Sequence, residues 1–177
     1  IRHEKGNERY RVMGTDYERF VDVRELPPWR VAYIRYTGPY KADKYLFTRL
    51  WKKLAIWAGP RGIFQNPDTR YCAIYHDNPE ITAEEKLRVS VCVSIDEEME
   101  TSGEVGSLHL PGGKYAVCRF LLGDKDYSAA WGWMYGTWLP LSGYVPDDRP
   151  GFEWFPPDAK QSDGKLLVDI CIPVTLI

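Results

Sequence analysis

Apolar positions in this chain alternate with polar ones in some stretches and recur every three or four residues in others, and the two periods predict different elements. Val21 to Leu26 alternates, with Val21 and Val23 on one face, and reads as a strand that meets Pro27-Pro28. Trp29 to Tyr36 sets Val31 and Tyr33 against Ala32, Ile34 and Tyr36, which predicts a second strand ending at Thr37-Gly38-Pro39 and a hairpin with the first. From Asp43 onward the period changes. Leu46, Leu50 and Leu54, with Phe47, Trp51 and Ala58 beside them, fall at helical spacing, and Gly59-Pro60 stops that helix. Arg70 to Tyr75 and Lys86 to Ile95 read as two more strands, separated by a polar turn containing Asn78-Pro79. In the second of these Leu87, Val89, Val91, Val93 and Ile95 fill one face, and Arg88, Ser90, Cys92 and Ser94 the other.

The pattern then repeats. Leu26 to Tyr36 lines up with Leu110 to Phe120 at an offset of 84 residues (110 against 26), and Lys86 to Val93 with Lys165 to Ile172 at 79 (165 against 86). Between these blocks Asp126 to Trp138 places Tyr127, Trp131, Met134 and Trp138 on one helical face, ended by Pro140. Each half is therefore strand, strand, helix, strand, strand. A helix covers one face of so small a sheet, so an α/β (α+β) fold is expected: a pseudo-twofold duplication of antiparallel sheets with two long helices and a ligand groove between the halves. Residues 1–18, polar and without a period, read as a linker from a missing N-terminal region; 19–177 reads as one domain of two repeats, 19–97 and 98–177.

Composition narrows the function classes. A chain of 177 residues can bury a core without disulfide or metal staples. Lys+Arg 23 against Asp+Glu 25 gives a net charge of -2 and no basic footprint for direct nucleic-acid binding. Cys72, Cys92, Cys118 and Cys171 stand singly in apolar segments, without Cys-x-x-Cys or His at zinc-ligand spacing, so they read as reduced core residues and no metal is expected. No run approaches the ~18 apolar residues of a membrane span; with no signal peptide, a cytoplasmic location and no membrane partner are expected. His3, His76 and His109 lie in tail, turn and strand-end positions, which argues against haem; no cofactor is expected. Without a Ser-His-Asp, Cys-His or paired-carboxylate arrangement, no catalytic residue is assigned.

Candidate chemistry concentrates between Trp138 and Phe155, where Trp138, Tyr144, Phe152, Trp154 and Phe155 crowd around Glu153. The first copy of the repeat is an internal control. Glu153 falls opposite Ala73 at an offset of 80 (153 against 73), with Phe152 opposite Cys72 and Trp154 opposite Ile74. The acid has no counterpart. On the solvent face of an edge strand it would be an ordinary surface glutamate. Facing the groove it would favour a cation, through ion pairing and roughly 0.5–2 kcal/mol from each ring face. Desolvation would raise its pKa, suiting it either to hold a cation or to shuttle a proton. Trp51 and Trp131 lie on apolar helical faces and read as packing. The candidate ligand-binding residues are Glu153, Trp154, Phe155, Tyr33, Tyr71, Tyr75, Trp133 and Tyr135.

At Trp138-Leu-Pro-Leu-Ser-Gly-Tyr, followed by Arg149-Pro-Gly-Phe-Glu-Trp-Phe, the chain resembles the GyrI-like superfamily, the effector-binding domain at the C-terminus of Rob-like AraC-family and BmrR-like MerR-family transcription regulators. Tyr36-Thr-Gly-Pro-Tyr and the two-copy layout agree with it, and the likeness runs from about Phe20 to Ile177. The resemblance implies two strand-helix-strand-strand units around a ligand groove. It also implies a multidrug-sensor glutamate, the partner of lipophilic cations, at Glu153, with Phe155 where a Tyr is common. The implied function is a ligand-sensing domain for a lipophilic, cationic or aromatic small molecule. DNA would be contacted only through a helix-turn-helix domain absent from this chain, and a homodimer stays open. Two other readings stand beside it: a hydrolase of reactive cyclopropane-containing compounds, and a standalone interaction protein of the gyrase-inhibitor kind.

Overall fold

The computed structural model describes residues 7–11, 18–41, 43–157 and 164–177, with side chains from residue 21 onward. Among the described residues ten strands and two α-helices alternate as the periods require. They are β1 (Asn7–Arg11), β2 (Glu18–Leu26), β3 (Trp29–Thr37), α1 (Leu46–Ala58), β4 (Tyr71–Tyr75), β5 (Arg88–Ser94), β6 (Gly106–Leu110), β7 (Gly113–Leu122), α2 (Tyr127–Trp133), β8 (Tyr144–Pro146), β9 (Gly151–Phe155) and β10 (Leu166–Leu176). Strand β1 lies inside the stretch read as a linker, where its backbone pairs with β2. Residues 1–6 and 12–17 of that stretch lie outside the described residues.

The chain forms two compact units. The first comprises Ile1–Pro27 with Gly112–Ile177, the second Pro28–Pro111. These are not the two sequence repeats, because each repeat gives its first strand to the other unit. The expected hairpin between β2 and β3 is absent. Strand β2 pairs with β1 and β7, while β3 pairs with β5 and β6. The reason is local: Pro27-Pro28 lacks both backbone donors, and no residue there favours the positive φ of a tight two-residue turn.

In the second unit the antiparallel order is β4-β5-β3-β6. Helix α1 begins where the Asp43 carboxylate accepts the Tyr45 N–H at 3.0 Å, and it ends at Gly59-Pro60 and a left-handed Gly62 (φ 72°). Its buried residues Leu46, Leu50, Leu54 and Ala58 repeat every four positions, one turn apart. They pack on Ala32, Ile34, Val91 and Val93, the apolar face that alternation assigned to β3 and β5.

The first unit has the order β1-β2-β7-β10-β9, again antiparallel. Strand β8 pairs with β10 from Val174 to Leu176, where β9 no longer does. The expected helix from Asp126 to Trp138 is α2 continued by a π-helical turn, Met134–Trp138, in which the Leu139 N–H reaches the Met134 carbonyl five residues back. Ala130, Met134 and Trp138 bury their side chains against Ala116, Cys118 and Phe120 of β7 and Val168, Ile170 and Ile172 of β10. The four cysteines are free and buried.

Candidate functional site

Strand β9 pairs with β10 in the register Trp154↔Asp169, Glu153↔Ile170, Phe152↔Cys171. Successive side chains leave opposite faces of a strand, so Glu153 shares its face with Gly151 and Phe155, whereas Phe152 and Trp154 take the other. Phe155 packs against the cluster beneath α2, and Phe152 meets Tyr115 edge to face, 5.3 Å between centroids. Of the two faces that the sequence left open, Glu153 occupies the one beneath α2. It is 2 % exposed.

Above it, Trp131 donates its indole N–H to Glu153 Oε1 at 2.7 Å, at the short end of an N–H···O bond. Trp131 is stacked on Tyr135 one turn along, with centroids 6.1 Å apart and planes 13° from parallel. The ring also lies close to Gly151: a Cβ there would sit 3.2 Å from two indole atoms. Tyr127, one turn before Trp131, has its hydroxyl pKa raised by burial and further by the negative charges of Glu153 and Asp124. Tyr135 keeps 41 % of its surface exposed, and its hydroxyl is raised by the part that is covered, with a contribution from Asp147. The site is thus a buried carboxyl with a neutral donor on one oxygen and a phenol and stacked rings alongside, a setting in which burial works against the charge of the acid and opposite charge would favour it.

The turn before β9 is fixed by Arg149, whose guanidinium donates to the carbonyls of Gly112 (3.0 Å) and Lys114 (2.9 Å) and pairs with Asp147. It also lies 4.7 Å from the centre of the Tyr115 ring. Gly113, at φ 121°, leaves the space, since a Cβ there would collide with the guanidinium. Arg149 therefore ties the segment before β9 to the start of β7. Burial pushes the Tyr115 hydroxyl up to about 12.

The other candidates divide by unit and by face. Tyr135 joins Glu153 through Trp131, and Phe155 shares their face. Trp133 packs edge to face with Phe120, 6.1 Å apart, as part of the core packing. Trp154 stands on the face of β9 away from Glu153. In the second unit Tyr71 lies between Trp51 (6.5 Å) and Phe64 (6.4 Å) on the α1 side, and Tyr75 meets Tyr40 at 5.7 Å. Tyr33 is on the opposite face of that sheet, under the Arg35 guanidinium at 4.6 Å and beside Gly106. Sequence reasoning missed Trp131, which it assigned to packing. The available signal was the offset of 80 residues: Trp51 and Trp131 are equivalent, but only the second has an acid at the strand position below.

The model of the GyrI-like small molecule binding domain family matches residues 19–175. The chain belongs to this family. A DNA gyrase inhibitor of Yersinia enterocolitica (serotype O:8) is 30 % identical over 152 residues, 84 % of this chain and 92 % of that protein. In fold the GyrI-like chain is similar to the EcmrR C-terminal domain, with a TM-score of 0.66 at 18 % identity, covering 89 % of this chain and 98 % of that one. It is also similar to EcmrR in a complex with DNA, with a TM-score of 0.64 at 18 % identity; the match takes in 90 % of this chain but spans only 58 % of that chain. SAV2435 bound to tetraphenylphosphonium matches with a TM-score of 0.58 at 13 % identity, over 88 % of this chain and 93 % of that one. Among the described residues no helix is long and apolar enough to cross a membrane.

Proposed function

We propose that this GyrI-like domain senses a lipophilic cation carrying aromatic groups, with Glu153 as its counter-charge. One observation carries the reading: the acid that breaks the internal repeat is 2 % exposed, held by Trp131 beneath α2. A buried carboxylate gains most from a ligand that brings opposite charge and little hydration of its own, and the Trp131–Tyr135 pair offers ring surface to such an ion. The tetraphenylphosphonium bound by SAV2435, which shares the fold, is an ion of that kind. The contact set proposed here is Glu153, Trp131, Tyr135, Tyr127 and Phe155. A tryptophan-fluorescence titration with lipophilic cations and their neutral analogues tests it. Glu153→Gln is expected to weaken cation binding at least tenfold, about 1.4 kcal/mol, while sparing neutral analogues. Equal cation affinity in both proteins would remove Glu153 from the site.

We propose further that occupancy is coupled to DNA through a helix-turn-helix domain outside this chain, by unequal affinity of the ligand for two states of the regulator. The EcmrR–DNA complex, of whose chain this one spans 58 %, supports that arrangement. The Yersinia relative favours a second reading, since this chain covers 92 % of a protein named for gyrase inhibition. A gyrase supercoiling assay separates the two. Inhibition by the chain alone, with or without cation, supports the second reading, and unchanged supercoiling eliminates it.

A further inference from the structure

Trp131 is fixed from two directions. Tyr135 stacks on its ring, and strand β9 approaches it at Gly151, where even a methyl group would press on the indole. In that position Nε1 meets Glu153 Oε1 at 2.7 Å. An indole N–H is a donor with no charge and no acceptor capacity, so it occupies a lone-pair direction of the carboxylate without neutralising it. A protonated amine seeks such directions, because its own N–H groups need acceptors once it leaves water. A quaternary onium ion has no N–H. It is attracted by the charge alone, from any side the packing leaves open.

We infer that Trp131 sets which class of cation Glu153 selects: onium ions without N–H bind with the indole bond intact, and protonated amines compete with it for the acceptor directions of the carboxylate. This rests on the proposed role of Glu153 as counter-charge and adds the chemistry that discriminates among cations. The device is built from three positions. Gly151 allows the indole down to the strand, Tyr135 holds its plane, and Glu153 receives the bond. The π-helical turn begins three residues after Trp131, where the Met134 N–H is shared between the carbonyls of Ala130 and Trp131. Such turns widen the backbone helix locally and are frequent at functional sites.

The test uses one aryl-alkyl amine in two forms, as the primary ammonium and as its trimethylammonium derivative, titrated by calorimetry against the whole chain. The wild type is expected to prefer the trimethylammonium form. Trp131→Phe keeps a ring and removes the donor, and should shift the ratio of affinities toward the primary ammonium by about tenfold, the scale of one hydrogen bond to a charged group. Gly151→Ala keeps the donor and lifts it, and should shift the ratio the same way by a smaller factor. In nitrogen–proton spectra, the indole resonance that Trp131→Phe removes should stay in place when the wild type is saturated with trimethylammonium and move upfield with the primary ammonium. If Glu153→Gln leaves both affinities unchanged, the counter-charge reading falls and this one with it. If Glu153→Gln weakens both while the ratio is the same in the wild type, Trp131→Phe and Gly151→Ala, the role of Trp131 alone is overturned. A Trp131→Phe protein that fails to fold leaves Gly151→Ala and the wild-type spectra to decide.

Discussion

Beneath their helices the two units differ at equivalent positions. In the second, Trp51 meets Tyr71 edge-on at 63°, and the next inward strand position is Ala73, fully buried. Eighty residues on, the same three places hold Trp131, Gly151 and Glu153. The helices themselves correspond, since the buried Leu50, Leu54 and Ala58 recur as Ala130, Met134 and Trp138. What changed is the strand. Replacing a tyrosine by glycine removes the ring on which the tryptophan would rest, so Trp131 lies against the backbone and its N–H meets the neighbouring side chain. A carboxyl at the next inward position then has a donor waiting for it. The glycine and the acid form one device, and either alone would leave a cavity or an uncompensated charge.

The comparison breaks most visibly when the acid is moved. Ala73→Glu puts a carboxyl under α1, where Tyr71 holds Trp51 away from the strand, and is expected to cost at least about 3 kcal/mol. Chemical denaturation should register this as a collapse of the midpoint; a loss below about 1 kcal/mol would mean that the second unit tolerates charge as well as the first. Next in size is Trp131→Phe, which removes a hydrogen bond to a buried carboxyl and should lower stability by about 2 kcal/mol. Trp51→Phe, with Ala73 below it, should lose less than half of that, and equal losses would dissolve the distinction between the two tryptophans.

The smallest effect concerns the opposite face of the second unit. There His76 Nε2 lies 2.9 Å from Ser90 Oγ, to which Arg35 Nε donates at 3.2 Å. Burial first, then the charges of Arg35 and Arg88, brings the imidazole pKa down to about 4 from its ordinary 6.5. Between those values the unfolded chain takes up a proton that the folded chain refuses, so stability falls as pH drops from 6.5 toward 4. For a partly exposed ring the loss is on the order of 1 kcal/mol after solvent screening. Unfolding curves across that window should show the slope in the wild type and not in His76→Gln; a slope that survives belongs to another group.

Periodicity carried most of the fold. The faces of β3, β5 and α1 that meet in the core beneath α1 are those the alternation and the four-residue spacing assigned; the opposite face is buried as well at Val31, Ser90 and Cys92, which alternation alone did not indicate. Pairing was less legible. Leu26-Pro-Pro-Trp29 reads as a turn between neighbours, whereas the partners of β2 and β3 are chosen by long-range packing that no local pattern records. At the site, the broken repeat singled out Glu153 but left its strand face open, and the pairing with β10 puts it on the buried one. The rings were harder to assign, since every aromatic residue suits both a core and a ligand. Trp133 and Trp154 lie next to the chemistry in sequence but turn away from it in space, whereas Trp131 contacts Glu153 from another element.

The two crossings between units also bear on how the chain could be built and rearranged. Leu26 pairs with Gly113 and Trp29 with Leu110, so the chain leaves the first unit and returns to it at adjacent points on one strand pair, and the second unit opens and closes on another. Pro28–Pro111 is therefore topologically an insertion, a contiguous segment with neighbouring ends. On the ribosome it can complete its contacts while β2 still waits for β7, whose first residue is made 87 residues after the last of β2 (113 against 26). The part that carries Glu153 closes last.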